Sequence, residues 1–259
     1  MARKLVIGNW KLNGSLAMNE ALLEGLLKGW IPGPTGNTST EMVVCPPAIY
    51  VPQTENLLSG SAIQWGAQDL SNESQGAYTG ELSGSMLLEF GCRYVLVGHS
   101  ERRSRWAETS AMVAAKAASA LNQGLIPVIC IGETLAERES GATLSALADQ
   151  LAPILSMLTP QALAGIVIAY EPLWAIGTGR NADGKTAQEV HAFIRNQLAQ
   201  ADLACAAEVP LLYGGSVKAA NAAEYAAQSD IDGVLVGGAS LVISEFLNIG
   251  RAFESAAVS

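Results

Sequence analysis

The amino-acid sequence predicts a single (β/α)8 barrel, in which eight parallel strands close into a cylinder and helices form an outer ring. Three observations support this fold class. Short apolar segments alternate with helix-like segments along the 259 residues. The apolar segments are almost continuously hydrophobic, as parallel strands covered on both faces require. No Pro-, Gly- and Ser-rich linker is long enough to divide the chain, so we expect residues 1–259 to form one domain.

Eight segments have the length and composition of buried strands. Each is bounded by turn-forming or polar residues. They comprise residues 4–8, 41–45, 62–66, 93–98, 126–131, 165–170, 210–213 and 233–236. Reactive groups of such a barrel lie at the carboxyl ends of its strands, so the residues after each segment are the candidates for function.

Helical spacing is clearest in two of the intervening stretches. Ser15 is a candidate N-cap for an apolar stripe. The stripe consists of Leu22, Leu23, Leu26, Leu27 and Trp30. Thr186 and Glu189 form a candidate capping box for another helix. Weaker patterns predict helices at residues 112–121, 144–158 and 221–227.

Charge and cysteine content exclude several classes of protein. Lys and Arg total 15 against 24 Asp and Glu, and this net charge of −9 excludes a general nucleic-acid binder, which needs a broad basic face. No apolar run approaches the roughly 20 residues of a membrane span, and no signal peptide is evident, so we expect a cytoplasmic protein. The four cysteines are scattered, which favours small core residues over disulfides or metal ligands.

Polar side chains follow three of the predicted strands. Asn9 and Lys11 follow the first, His99 follows the fourth, and Glu171 follows the sixth. A carboxylate at the end of a buried strand is a candidate general base, because desolvation raises its pKa. The only other histidine, His191, falls within a predicted helix and is expected to be structural.

Glycine pairs follow the last two strands, in the segments Gly214-Gly215-Ser216 and Gly237-Gly238. Glycine lets backbone N–H groups approach an anion closely, and barrels often bind phosphate after strands seven and eight. Lys11 offers a local positive charge in this acidic protein. The apolar, glycine-containing segment after Glu171 is suited to a lid over a ligand.

Seven motifs, taken together and in order, resemble those of the triosephosphate isomerase family. They are GNWK at 8–11, VGHSERR at 97–103, CIGET at 130–134, AYEP at 169–172, WAIGTG at 174–179, YGGSV at 213–217 and VGGASL at 236–241. The resemblance spans nearly the whole chain and implies a TIM barrel. It also implies the cofactor-free interconversion of dihydroxyacetone phosphate and D-glyceraldehyde 3-phosphate, with no metal.

The resemblance assigns roles to the residues at the strand ends. Glu171 is implied to move a proton between neighbouring carbons through an enediolate. His99 polarises the oxygens, and Lys11 and Asn9 stabilise negative charge. Glu101 belongs to the supporting polar network.

The same resemblance implies a phosphate site and a lid. The backbone N–H groups of Gly177, Ser216 and Gly238 would hold phosphate, with Gly237 supporting the turn. The segment 172–182 would close over the substrate. The residues that form or support this lid are Pro172, Leu173, Trp174, Ala182 and Tyr213.

Two departures from the family pattern affect the lid. Leu173 stands where the family commonly has Val, and residues 180–186 lack the frequent Thr-Pro start of the next helix. Because the reacting groups remain, we expect altered lid rates and not a different reaction.

The loop Gln75 to Glu81 resembles the family's intersubunit loop, which implies a homodimer with Thr79 near the partner's active site, and Gln68 and Asp69 precede the loop. Two alternatives stay open: a barrel acting on a larger sugar phosphate or indole precursor, and a non-catalytic phosphate-binding barrel. The compact lid and the set Asn9, Lys11, His99 and Glu171 favour a small triose.

Overall fold

The computed structural model describes residues 2–31, 40–175 and 182–257. Its strands form a closed parallel barrel in sequential order, and the ring closes where β1 pairs with β8. The strands are β1 Lys4–Asn9, β2 Thr40–Cys45, β3 Ile63–Ala67, β4 Tyr94–Val97, β5 Ile126–Ile131, β6 Val167–Tyr170, β7 Leu211–Tyr213 and β8 Gly233–Val236. The predicted fold class is confirmed, and each predicted strand is present within two residues of its bounds.

Helices surround the barrel. Those in the described ranges are α1 Leu16–Gly29, α2 Val51–Leu58, α3 Gly84–Glu89, α4 Ser100–Trp106, α5 Ser110–Asn122, α6 Leu135–Glu139, α7 Thr143–Met157, α8 Pro160–Leu163, α9 Gly184–Ala201, α10 Leu203–Glu208, α11 Ala222–Ala226 and α12 Ile243–Ala257. None of the described helices has the length and apolar character needed to cross a membrane.

The strands are mostly hydrophobic because both faces of the barrel wall are largely buried. β4 and β8 are buried at every position. Alternate side chains, such as Leu5 and Ile7 of β1, fill the interior of the cylinder. The intervening ones, such as Val6, pack in the layer between barrel and helices.

Two helix starts show where the sequence patterns succeeded and failed. Ser15 caps α1 as predicted, and its hydroxyl accepts a hydrogen bond from the Met18 N–H at 3.2 Å. The capping box predicted for α9 is wrong, since Asp183 is the N-cap and accepts from the Thr186 N–H at 2.7 Å. An Asp one turn earlier is a stronger cap than Thr, so the helix begins before Thr186.

The predictions that the cysteines are core residues and that His191 is structural are confirmed. All four cysteines are free and buried. His191 is fully buried in α9, where its Nδ1 lies 2.7 Å from the carbonyl oxygen of Ala187. Burial lowers the pKa of His191, which keeps the ring neutral within the core.

Candidate active site

A cleft of about 310 Å³ opens at the carboxyl ends of the strands. Parallel strands direct all their carboxyl ends to one rim, which is why residues far apart in sequence meet here. The predicted site residues that line the cleft are Asn9, Lys11, His99, Glu171, Ser216, Gly237 and Gly238. Gly177 lies outside the described residues.

The backbone of Lys11 has a strained conformation that hydrogen bonds stabilise. Its φ of +53° lies in the left-handed region, which costs a residue other than glycine roughly 1–2 kcal/mol. Two hydrogen bonds offset this cost: the Lys11 N–H donates to Asn9 Oδ1 at 2.9 Å, and Gln68 Nε2 donates to the Lys11 carbonyl at 2.9 Å. Strain held in this way is common at functional sites.

The Lys11 ammonium lies between a carboxylate and the second glycine pair. Its Nζ is 2.7 Å from Glu101 Oε1. A Cβ built on Gly237 would be 4.0 Å from the same Nζ. Lys11 therefore brings positive charge to the side of the cleft formed by the β8 glycines.

His99 is the N-cap of α4, and the helix start determines its tautomer. The Glu101 N–H donates to His99 Nδ1 at 3.2 Å. Because Nδ1 accepts this bond, the proton of the neutral ring is on Nε2. His99 Nε2 lies 3.0 Å from Glu171 Oε1.

Glu171 follows β6 directly and is 2% exposed. Its N–H donates to the Ile131 carbonyl at 2.7 Å, which extends the pairing with β5 by one residue. Its second carboxylate oxygen, Oε2, accepts from the Ser100 N–H at 3.0 Å. The carboxylate thus bridges the imidazole and the first turn of α4.

The two groups stabilise each other's charged forms. Burial raises the pKa of Glu171, but His99, the Ser100 N–H and Lys11 lower it, and the net direction is downward. Burial lowers the pKa of His99, but the Glu171 carboxylate raises it, and the net direction is upward. The expected net rise in the pKa of Glu171 is therefore wrong, because His99, the Ser100 N–H and Lys11 outweigh burial.

The glycines of the cleft leave room for neighbouring groups. A Cβ on Gly214 would lie 2.8 Å from Glu171 Cγ, so a side chain there would displace the carboxylate. A Cβ on Gly238 would meet no atom within 4 Å. Its backbone is therefore open to a ligand in the cleft.

The segment after Glu171 is anchored at both of its described ends. Pro172 is buried, and the Leu173 N–H donates to the Glu133 carbonyl at 3.0 Å. Trp174 Nε1 donates to Glu133 Oε1 at 2.9 Å. At the far end, the Ala182 N–H donates to the Tyr213 hydroxyl at 3.1 Å.

The loop that follows β7 is tied to the same segment. The Ser216 hydroxyl donates to the Ala175 carbonyl at 2.9 Å. The Leu173 side chain packs near Gly132, where a Cβ would lie 3.1 Å from Leu173 Cδ1. The Glu171 carbonyl lies still closer to that position, so the Glu171 backbone is what requires glycine at 132.

Several supporting contacts were not predicted from the sequence. Gln68 holds the Lys11 carbonyl, and Glu133 receives the Trp174 indole. Arg103 joins the ends of two strands, donating to the Gly98 carbonyl at 2.9 Å and to the Cys130 carbonyl at 3.1 Å. The polar turn after His99 was the only signal for Arg103, because strand-end patterns do not report long-range partners.

The fold and the cleft define a class of protein: a (β/α)8 barrel whose strand ends bring a buried carboxylate, an imidazole, a lysine and two glycine loops together in one cleft. The family model described as Triosephosphate isomerase matches residues 4–253. The chain therefore belongs to the triosephosphate isomerase family.

Curated relatives agree with this family along their full length. The proteins named Triosephosphate isomerase from Cupriavidus taiwanensis and Dechloromonas aromatica are each 54% identical over 252 residues, covering 97% of this chain and 100% and 99% of theirs. The protein of the same name from Nitrosococcus oceani is 53% identical over 252 residues, covering 97% of this chain and 99% of its own.

Proposed function

We propose that this protein is an enzyme that interconverts dihydroxyacetone phosphate and D-glyceraldehyde 3-phosphate. The observation that carries the proposal is the buried Glu171 carboxylate, 3.0 Å from His99 Nε2, in a cleft shared with Lys11 and two glycine loops. Family membership supports the same reaction.

The reaction moves one proton between carbons and one between oxygens. Glu171 removes the proton from the carbon beside the carbonyl, and the electron pair forms an enediolate. His99 donates its Nε2 proton to the carbonyl oxygen as that oxygen becomes negative, and the ring then recovers a proton from the neighbouring hydroxyl. Lys11 and Asn9 stabilise the negative charge. Glu171 then returns its proton to the neighbouring carbon, so no cofactor is consumed.

Phosphate binding completes the proposed site. The backbone N–H groups of Ser216 and Gly238 would hold the dianion, with Gly237 shaping the turn and Gly177 contributing from outside the described residues. Lys11 and Lys218, which both line the cleft, supply local positive charge. The net charge of −9 makes this local reversal necessary.

We also propose that residues 172–182 close over the bound substrate. The anchors at Glu133 and Tyr213, 2.9 Å from Trp174 Nε1 and 3.1 Å from the Ala182 nitrogen, support this role. Excluding water protects an enediolate that otherwise loses phosphate. Glu101, bonded to Lys11, would support the charged groups beneath.

The cleft of about 310 Å³ is at the lower end of the range of roughly 300–1,000 Å³ found for ligand pockets, which favours a triose over a larger sugar phosphate or an indole precursor. A non-catalytic phosphate-binding barrel would not need the Glu171–His99 pair. Neither alternative gains support from a specific contact.

Replacing Glu171 with Gln tests the proposal. The amide keeps the volume but cannot act as the base, so turnover of glyceraldehyde 3-phosphate should fall about 10³-fold. The exposed Glu189, changed to Gln on α9, is the matched control and should retain wild-type turnover. Near-normal turnover of E171Q in a coupled assay would show that another group is the base.

We further propose a homodimer formed through the loop Gln75 to Glu81, with Thr79 near the partner's site. Large apolar side chains in loops after three successive strands are exposed: Leu12 is 96% exposed, Ile49 80% and Tyr78 48%. Exposed apolar groups in three neighbouring loops favour association. The four free thiols are in keeping with the reducing cytoplasm, which we propose as the compartment.

A further inference from the structure

Two tyrosines enclose the backbone of Ala182. The rings of Tyr213 and Tyr225 stack with centroids 4.4 Å apart and an angle of 21° between their planes. Both side chains are fully buried. Tyr213 accepts the Ala182 N–H at 3.1 Å, and the Tyr225 hydroxyl donates to the Ala182 carbonyl at 2.7 Å. Both polar groups of one peptide residue are thus held by one aromatic stack.

The stack also reaches the glycine loop of the cleft. Tyr213 is the last residue of β7, and a Cβ on Gly215 would collide with its hydroxyl. Gly214, Gly215 and Ser216 line the cleft. The position of the Tyr213 ring therefore determines how the loop backbone is packed.

α11 contributes a second contact beside the first. Glu224 Oε1 accepts from the Gly184 N–H at 2.5 Å, at the first residue of α9. Consecutive residues of α11, Glu224 and Tyr225, therefore fix Gly184 and Ala182. This short helix acts as a support for the chain that leads into α9.

We infer that Tyr225 is a positioning residue for the triose phosphate reaction. Among the described residues it does not line the cleft, so it acts through its neighbours. Its ring holds Tyr213 against the Gly215 loop, and its hydroxyl fixes Ala182 at the end of the segment 172–182. This inference rests on the proposed function.

Two variants of Tyr225 distinguish the role of its ring from the role of its hydroxyl. Tyr225→Phe keeps the stack and removes the hydroxyl, which bonds the Ala182 carbonyl and also contacts the Tyr213 side chain. We expect kcat/KM to fall about three- to tenfold, the value of one buried hydrogen bond. More turnovers should also end in release of inorganic phosphate, because Ala182 is held less firmly beside the cleft and water reaches the enediolate more readily. Inhibition by added inorganic phosphate should be unchanged.

Tyr225→Leu removes the ring as well. Tyr213 then loses its stacking partner, so inhibition by inorganic phosphate should weaken several-fold in addition to the effects of the Phe variant. Phe would thus rescue phosphate affinity but not full turnover. A purely structural role predicts a lower Tm with neither change.

Tyr94→Phe is the matched control. Tyr94 is fully buried at the first position of β4, the end of the strand away from the cleft. The Y94F variant should keep the wild-type kcat/KM and phosphate release. Circular dichroism and Tm, measured for every variant, confirm the folded fraction at the assay temperature.

The outcomes separate this inference from the proposed function. A wild-type protein without isomerase turnover would overturn the proposed function, whatever the variants do. An active wild type with a folded Y225F variant of unchanged kcat/KM and phosphate release would overturn the role of Tyr225. A loss of turnover that merely follows the folded fraction would overturn it too, and Y225F decides alone where Y225L does not fold.

Discussion

At the scale of single residues, the Glu171–His99 contact couples the proposed base to the ring that faces it. Their 3.0 Å contact lowers the pKa of Glu171 and raises that of His99. This contact therefore favours the ionised form of the Glu171 carboxylate. A substrate oxygen that takes the Nε2 proton would release the carboxylate toward carbon.

This pairing predicts a dependence of stability on pH. The lowered pKa of Glu171 contributes stability above its ordinary value of 4.5, and this is lost as the pH falls through the folded-state pKa. The raised pKa of His99 contributes below its ordinary value of 6.5, and this is lost as the pH rises through the folded-state pKa. Both contributions are full only between these two values.

The comparison of wild type with Glu171→Gln tests this window. The difference in Tm should favour the wild type more at about pH 5.5 than at about pH 8.5, since the imidazole loses its charge in between. Thermal unfolding followed by circular dichroism at both pH values measures it. Glu189→Gln should show a constant difference, and a constant difference for E171Q would contradict the coupling.

The meeting of four polar residues in one cleft was predictable, and their hydrogen-bond partners were not. Asn9, Lys11, His99 and Glu171 are polar residues that follow apolar strands, a pattern visible in one dimension. The Ser100 N–H and the Tyr225 hydroxyl carry no such pattern, because their roles arise from packing between distant segments. Sequence also failed to give the direction of the Glu171 pKa shift, which depends on donors brought together only by folding.

At the scale of elements, α4 contacts the site residues through its first turn and ends at a residue with a strained backbone conformation. Its N-terminus donates to His99 and Glu171. Its C-cap, Ala107, has a φ of +53° and is exposed. A left-handed alanine costs roughly 1–2 kcal/mol, which glycine avoids.

Replacing Ala107 with Gly should therefore stabilise the protein. We expect a gain of about 0.5–1 kcal/mol in the free energy of unfolding, after the greater freedom of glycine in the unfolded chain is subtracted. Denaturant unfolding measures the change. Ala164, the C-cap of α8 with a φ of −63°, is the control, and Ala164→Gly should destabilise instead. Equal effects at both positions would refute the strain argument.

The strands were more predictable than the helices. Buried parallel strands have continuous apolar composition, so all eight were found within two residues. α9 was predicted to begin at a Thr-based cap, whereas Asp183 begins it. The helix predicted at residues 221–227 is present as α11. Shorter polar helices such as α4 do not show a clear period and were missed.

At the scale of the whole molecule, the proposed dimer is tested by measuring the mass in solution and by introducing one carboxylate into the proposed interface. Light scattering should give twice the 26.9 kDa of a single chain. Ile49→Asp should shift the protein toward monomer, because it places a carboxylate in the proposed interface. Leu203→Asp on α10 is the control, since Leu203 is 78% exposed, much like Ile49 at 80%. A monomeric wild type, or equal dissociation by both variants, would contradict this interface.

Closure of the ring between β1 and β8 also bears on biosynthesis. β1 acquires its second neighbour only through contacts such as Leu5 with Gly233. During translation, β1 therefore remains an edge strand with unpaired N–H and C=O groups until β8 has been synthesised. Interrupted translation products would keep Lys11 without Gly237 beside it, and they should be inert as enzymes yet attractive to chaperones.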